Sequence, residues 1–242
     1  MSSVVPTIST AGLVLSFVPT AIVIGIMLRW KANARSALYA TLRMLAQLMA
    51  IGYVLAFIFE SDHFGTIGAV LVIMLGVASR IAIRLLEDRG LRSYLTALIA
   101  ISVGGVPVLV LVTQAVLRVE PWFSPRYIVP LAGMIFAGSM NAVSLAAERY
   151  QAETGRGVEV LDARHTAFQA SLIPIMNSLF AVGLVSLPGM MTGQILSGIS
   201  PLIAAKYQIV VMTMLFGASG TAAATYLALR TRDAHLVDTT PG

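Results

Sequence analysis

The sequence predicts an all-α polytopic membrane protein, with about seven transmembrane helices and a broken or re-entrant segment after the sixth. Three observations carry that expectation. Of the 242 residues 57% are hydrophobic and only 11% are charged, less than half the roughly 25% charged residues of a soluble domain. Apolar runs long enough to cross a bilayer follow one another with short polar breaks, and a crossing needs about 20 such residues. From Thr166 to Ala205 there is no charged side chain at all. That run is too long for one span and tight for two.

The first span is expected over about Ile8–Leu28, charge-free and closed by Arg29-Trp30-Lys31. Met1 to Thr10 hold no Lys or Arg, so this run lacks the basic start of a signal peptide and reads as a retained span. The second is expected over about Ser36–Phe59, interrupted by Arg43 and Gln47, and the third over about Phe64–Leu86, with Arg80 and Arg84 in its last turns. The fourth covers about Ser93–Leu117 and the fifth about Tyr127–Ala147. A polar loop, Glu148–His165, comes next, then a sixth span over about Thr166–Leu187 and a last over about Tyr207–Leu229. The tail, 233–242, is expected to be disordered. The whole chain, 1–242, is expected to be a single transmembrane domain.

Between the last two spans lies Leu187-Pro188-Gly189-Met190-Met191-Thr192-Gly193-Gln194. Pro188 removes a helix donor and Gly189 loosens the backbone, so the helix is expected to break there. Met190 to Ala205 is too short and too polar for a good crossing. A re-entrant half-helix or an outer-surface loop fits it; a full eighth span is the alternative. Broken helices at membrane depth are tolerated where they meet protein or a wet cavity, and such places often bind substrate.

Orientation follows from the basic residues. Seven spans with the N-terminus outside put Arg29, Lys31, Arg35, Arg80, Arg84, Arg89, Arg92, Arg149, Arg156, Arg164, Arg230 and Arg232 on the cytoplasmic side. Only Arg118, Arg126 and Lys206 fall outside. Twelve against three fixes a cytoplasmic C-terminus. The net charge of +5 therefore marks topology and not a nucleic-acid partner. Localisation is expected in the cell inner (plasma) membrane.

Several residues are candidates for chemistry. Arg43 and Gln47 are one helical turn apart on one face, and an ionisable residue inside a span is a functional candidate. Snorkelling toward the inner interface, or pinning of neighbouring helices, accounts for Arg43 equally. Asn141, Ser144 and Glu148 form a polar stripe on the fifth span, beside a small-residue stripe of Gly138, Ala142 and Ala146 suited to close packing. Asn177, three residues after Pro174, is a second amide at depth, and Gln194 a third near the break. They line a substrate pathway or serve as interhelical glue. Met190 and Met191 offer soft thioether ligands or simply flexible filling. The three histidines, His63, His165 and His235, are spread over predicted loops and tail.

No cysteine exists, which excludes disulfides, thiolate metal sites and thiol nucleophiles. No catalytic nucleophile–base pair can meet within the spans, so an enzyme is not expected. No phosphate-binding loop occurs, and Gly217-Ala-Ser-Gly220 lacks the lysine. The chain carries no cofactor of its own; where ATP is used, a partner binds it.

A family resemblance adds to this. Pro130-Leu-Ala-Gly-Met134, Gly138-Ser-Met-Asn-Ala-Val-Ser-Leu145, Leu172-Ile-Pro174, Val182-Gly-Leu-Val-Ser-Leu-Pro-Gly-Met-Met-Thr-Gly-Gln-Ile195, Pro201 and Lys206-Tyr-Gln-Ile-Val210 resemble the Fet-type iron-export permeases, a family that includes plant aluminium-tolerance half-transporters. Arg43-x-x-x-Gln47 with Gly52-Tyr-Val-Leu55 is similar to that family's second span. The resemblance covers about 36 to 230 and rests most on Leu-Pro-Gly-Met-Met-Thr-Gly. It implies the membrane subunit of an ABC transporter, a dimer in the bilayer, driven by a separate cytosolic ATP-binding subunit and exporting a metal such as iron. Relatives usually carry a longer cytoplasmic segment after the fifth span, with a Leu-Gly-Ala-Thr/Ser-Pro turn. Here Glu159-Val-Leu-Asp-Ala-Arg164 stands in that place. Glu148, Glu159, Asp162 and Arg164 are then the expected coupling residues. A membrane scaffold or regulatory subunit that has lost ATPase coupling is the alternative.

Overall fold

The computed structural model describes residues 8–59 and 63–238. Among them every named element is a helix, with no named strand. It divides into two compact units, Met1–Ser61 and Asp62–Gly242.

The first unit holds α1 (Thr10–Leu15), α2 (Val18–Arg29) and α3 (Ala34–Phe59). The expected first span is helical in two pieces. Ser9 caps α1 by accepting the Gly12 amide at 3.1 Å, and Pro19 opens α2 in its first turn, where the missing N–H costs nothing. α3 matches the expected second span within two residues at its start.

The second unit opens with α4 (Phe64–Ala82) and α5 (Leu91–Val110), which passes directly into a π-helical turn, Leu111–Val116. Pro107 lies inside α5. It can donate no hydrogen bond, and the wider i→i+5 pattern follows within one turn of it. Then come α6 (Pro125–Thr154), α7 (Val160–Ala181), α8 (Gly189–Leu196) and α9 (Pro201–Asp238). The core sits where α9 packs against α5, α6 and α7. α5 and α9 cross most closely at Gly104. A Cβ there would lie 2.6 Å from the Ala222 amide nitrogen and 2.7 Å from the Ala218 carbonyl oxygen. Only glycine permits that approach, and Ala218 and Ala222 supply the small-residue face opposite.

Five described helical stretches are long and apolar enough to cross a membrane: Thr10–Arg29, Phe64–Ala82, Leu91–Val116, Pro125–Thr154 and Pro201–Arg232. α7 is long enough, but Asp162, Arg164, His165 and Gln169 dilute its first half. α8 has eight residues and spans only about 12 Å, far short of a hydrocarbon core of about 30 Å.

Three expectations need correcting. The sixth helix does not run to Leu187 and break at Pro188. It ends at Ala181, and Val182 turns extended. Gly183 follows at φ +84°, the left-handed position that commonly stops a helix. Pro188 is instead the N-cap of α8 and Gly189 its first residue. The pair starts a helix where it was expected to end one.

Glu148–His165 is not a loop: α6 runs on to Thr154, α7 begins at Val160, and only Gly155–Glu159 turns. Charges end a membrane span but not a helix. Here the i,i+4 pair of Arg149 and Glu153, at 2.7 Å, supports the extension. The last helix likewise continues to Asp238, into the segment expected to be disordered, since no Gly or Pro intervenes before Pro241. Residues 239–242 lie outside the described residues, as do 1–7 of the N-terminus.

Candidate functional site: a groove along α6, α7 and α9

Between α7 and α9 the turn 182–188 leaves a gap that no full helix fills. The turn is closed by its own backbone: the Val185 and Ser186 amides donate to the Ala181 carbonyl at 2.8 and 3.1 Å, and the Gly183 amide to the Ser186 carbonyl at 3.0 Å. Its tip is apolar and bare, with Leu184 92% and Val185 84% exposed. Such a tip belongs in lipid or against another chain.

Four cavities lie along α6, α7, α8 and α9, and two of them reach this turn. One of about 180 Å³ lies between Gly138, Asn141 and Ala142 of α6, Ser171, Pro174 and Ser178 of α7, and Leu215 and Ser219 of α9. A second of about 370 Å³ shares Ser178, Ile175 and Leu215 with it and reaches Pro188, Gly189, Met190 and Gln208. A third of about 290 Å³ shares Met134, Met190 and Val211 with the second and reaches Gln194, Arg126 and Tyr127. A side cavity of about 320 Å³ shares Val182, Gln208 and Met212 with the second and holds Met191. The shared walls make one groove, from Asn141 past the start of α8 to Gln194.

Its polar groups are few and under-satisfied. Gln208 is 5% exposed, and its Oε1 is buried with no hydrogen-bond partner, as is Oε1 of Gln194. Such atoms call for a water or a ligand. The Ser178 hydroxyl donates to the Pro174 carbonyl at 2.9 Å, and the Ser171 hydroxyl to Phe168 at 2.7 Å, leaving their lone pairs available. Gly138 keeps the α6–α9 wall thin: a Cβ there would meet Ser219 Oγ at 3.1 Å.

The groove thus gathers Asn141, Pro188, Gly189, Met190 and Gln194 from the sequence candidates. It does not gather the rest. Ser144 is half-buried on α6 and Asn177 exposed on α7, and neither lines these four cavities. Arg43, half-buried, and Gln47, exposed, belong to α3 in the first unit. Met191 faces the side cavity, apart from Met190. Gln208 was missed. The rule that singles out Asn141, an amide inside an apolar helix, applies to it equally. Met134, Met212, Ser171 and Ser178 carry no signal short of the packing.

At the polar ends the structure forms two tight features. In the turn after α4, Asp88 Oδ1 accepts the Gly90 amide at 2.8 Å and Oδ2 the Ser93 hydroxyl at 2.8 Å. The Gly90 amide first, then that hydroxyl, hold the Asp88 carboxyl below its usual range, with help from Arg230 and Arg92 against a little desolvation. At the end of α6, Glu153 pairs with Arg149 at 2.7 Å and reaches Arg156 at 3.8 Å. Glu148, Glu159, Asp162 and Arg164 are exposed around this helical hairpin. No group of three or more His, Asp or Glu able to hold a metal occurs among the described residues.

Long apolar helices, a helix too short to cross and a groove with orphaned amides define a polytopic helical membrane protein. The comparisons identify its family. Residues 9–234 match the uncharacterised protein family UPF0014, and the chain belongs to that family. It is 37% identical over 195 residues to the UPF0014 membrane protein slr1647 of Synechocystis, covering 74% of each chain. With FetB of Escherichia coli, named a probable iron export permease protein, it shares 35% identity over 231 residues, 86% of this chain and 87% of that one. With Protein ALUMINUM SENSITIVE 3 of Arabidopsis thaliana it shares 33% over 197 residues, 75% and 71%. No solved structure matches significantly.

Proposed function

We propose that this chain is the membrane-spanning permease subunit of an ABC transporter, exporting a metal ion such as iron at the expense of ATP hydrolysed by a separate cytosolic subunit. The observation that carries the reading is the groove along α6, α7 and α9, with two unpartnered amide oxygens at the short helix α8. The name of the Escherichia coli relative supports the metal cargo. Seven spans, with α8 re-entrant and the N-terminus outside, agree with the basic-residue bias of twelve against three. In that arrangement the chain lies in the inner membrane of the cell, with the α6–α7 hairpin on the cytoplasmic side.

In this mechanism two copies of the chain form a dimer. ATPase closure pushes the hairpin through Glu148, Glu159, Asp162 and Arg164, and α6 and α7 carry the displacement to the groove. The groove then opens alternately to either side. The cavities support Asn141 and Gln194 as pathway residues and add Gln208. They give no such support to Arg43, Gln47, Ser144 or Asn177.

A scaffold without ATPase coupling is the second reading, favoured by the brevity of the Gly155–Glu159 turn. Co-purification decides between them. The permease brings down an ATP-binding subunit, and in liposomes its substrate stimulates that subunit's ATP hydrolysis. A partner that is active alone yet unaffected by this chain and its substrates rejects the transport reading.

A further inference from the structure

The cavity of about 370 Å³ beside Pro188 has an unusual set of donors. Met134 comes from α6, Met190 from α8 and Met212 from α9. Three helices thus each bring one methionine to the wall of one space. Gln208, also in this wall, is 5% exposed, and its Oε1 has no partner. Ser178 and Ser186 add hydroxyls. No Asp, Glu or His lines this cavity.

The chemistry of that set is selective. A hard divalent cation surrenders its water only to several charged oxygens, and none is here. Thioethers favour soft ions such as Cu(I). A neutral donor set also suits a single positive charge better than two. A buried, unpartnered acceptor is retained where something else completes it.

The geometry points to a binding site for a soft monovalent cation in this cavity, with Met134, Met190 and Met212 as sulfur donors and Gln208 as the oxygen donor. The site rests on the proposed transport path and assigns that path a soft monovalent ion in place of iron. Methionine as mere core filling predicts no such binding.

The test reads binding by the purified chain in nanodiscs, without any ATPase, so it can fail while the transport reading stands. Silver(I) in chloride-free buffer is the probe, followed by titration calorimetry and X-ray absorption. One ion per chain is expected, with sulfur in its first shell. M134L/M190L/M212L keeps the apolar volume and is expected to weaken binding by about tenfold or more, and Q208L by a smaller factor. M27L/M44L/M49L, in the first unit, leaves binding unchanged. Should the triple variant not fold, M190L alone at its half-exposed position carries the same expectation. No stoichiometric binding, full binding by the cavity variants, or Fe(II) held as tightly as silver overturns the proposal.

Discussion

Replacing Gly104 by alanine tests the packing that the groove depends on. The new Cβ would sit 2.6 Å from the Ala222 nitrogen and 2.7 Å from the Ala218 oxygen, where ordinary contact begins at 3.4 Å. Both obstacles are backbone and cannot rotate away. α5 and α9 must separate by most of an ångström, and every contact along their crossing loosens with them. Overpacking of this kind costs about 1–3 kcal/mol. Alanine's better helix propensity returns at most about 1 kcal/mol, so a net loss is expected.

Gly217 is the comparison. It lies in the same helix α9 with nothing within 4 Å of its Cβ position, so Gly217→Ala keeps the propensity gain without the clash. Thermal unfolding in detergent, followed by circular dichroism, reads both. Gly104→Ala is expected to melt below the wild type and Gly217→Ala at or above it. Equal midpoints for the two variants would refute the close crossing of α5 and α9.

Further outcomes follow from the polar ends and the groove. Glu153→Gln removes the partner of Arg149, whose guanidinium is 42% exposed against 10% for the carboxylate. At that partial burial the loss is about 1–2 kcal/mol, read as a lower melting midpoint and faster proteolysis at the Gly155–Glu159 turn. Because the Asp88 carboxyl is held below its usual range, its contribution is complete above the unfolded aspartate value. It disappears as pH falls through the lowered folded value. Asp88→Asn therefore flattens the acid limb of a melting-point-against-pH curve below about pH 4; an unchanged limb contradicts that assignment. Glu159→Gln with Asp162→Asn removes charge at exposed positions that open α7 and is expected to weaken recovery of the ATP-binding partner sharply while lowering the melting midpoint only slightly.

The sequence makes the apolar side of this fold legible and the polar side much less so. α4 and α5 start within two residues of expectation because hydropathy and helix begin together there. α6 and α9 run on past their expected ends, and α7 begins before its expected start, because a charged residue ends a membrane span without ending a helix. Pro188 is the stronger-looking break signal in the sequence, while Gly183 is what ends α7. Within the site, Asn141 and Gln194 stand out in sequence as amides among apolar residues. Gln208 stands out by the same test. Met134 and Met212 are two of twelve methionines; nothing but the convergence of α6, α8 and α9 separates them from core filling. The close approach at Gly104 has the same character, since the Gly104-Gly105 pair says nothing of Ala218 and Ala222 until the helices cross.

The absence of cysteine from the chain allows a direct trial of the groove as a passage. Single cysteines at Asn141, Ser178, Gln194 and Gln208 can be challenged in membranes with a water-borne, lipid-insoluble thiol reagent, beside Ile173 and Phe180 on the outer face of α7, 56% and 76% exposed. If the groove is the route, its four positions react, Phe180 and Ile173 stay silent, and ATP turnover by the partner changes the groove rates alone. Uniform silence at all six positions, or labelling that ignores ATP, would mean that nothing passes between α6, α7 and α9.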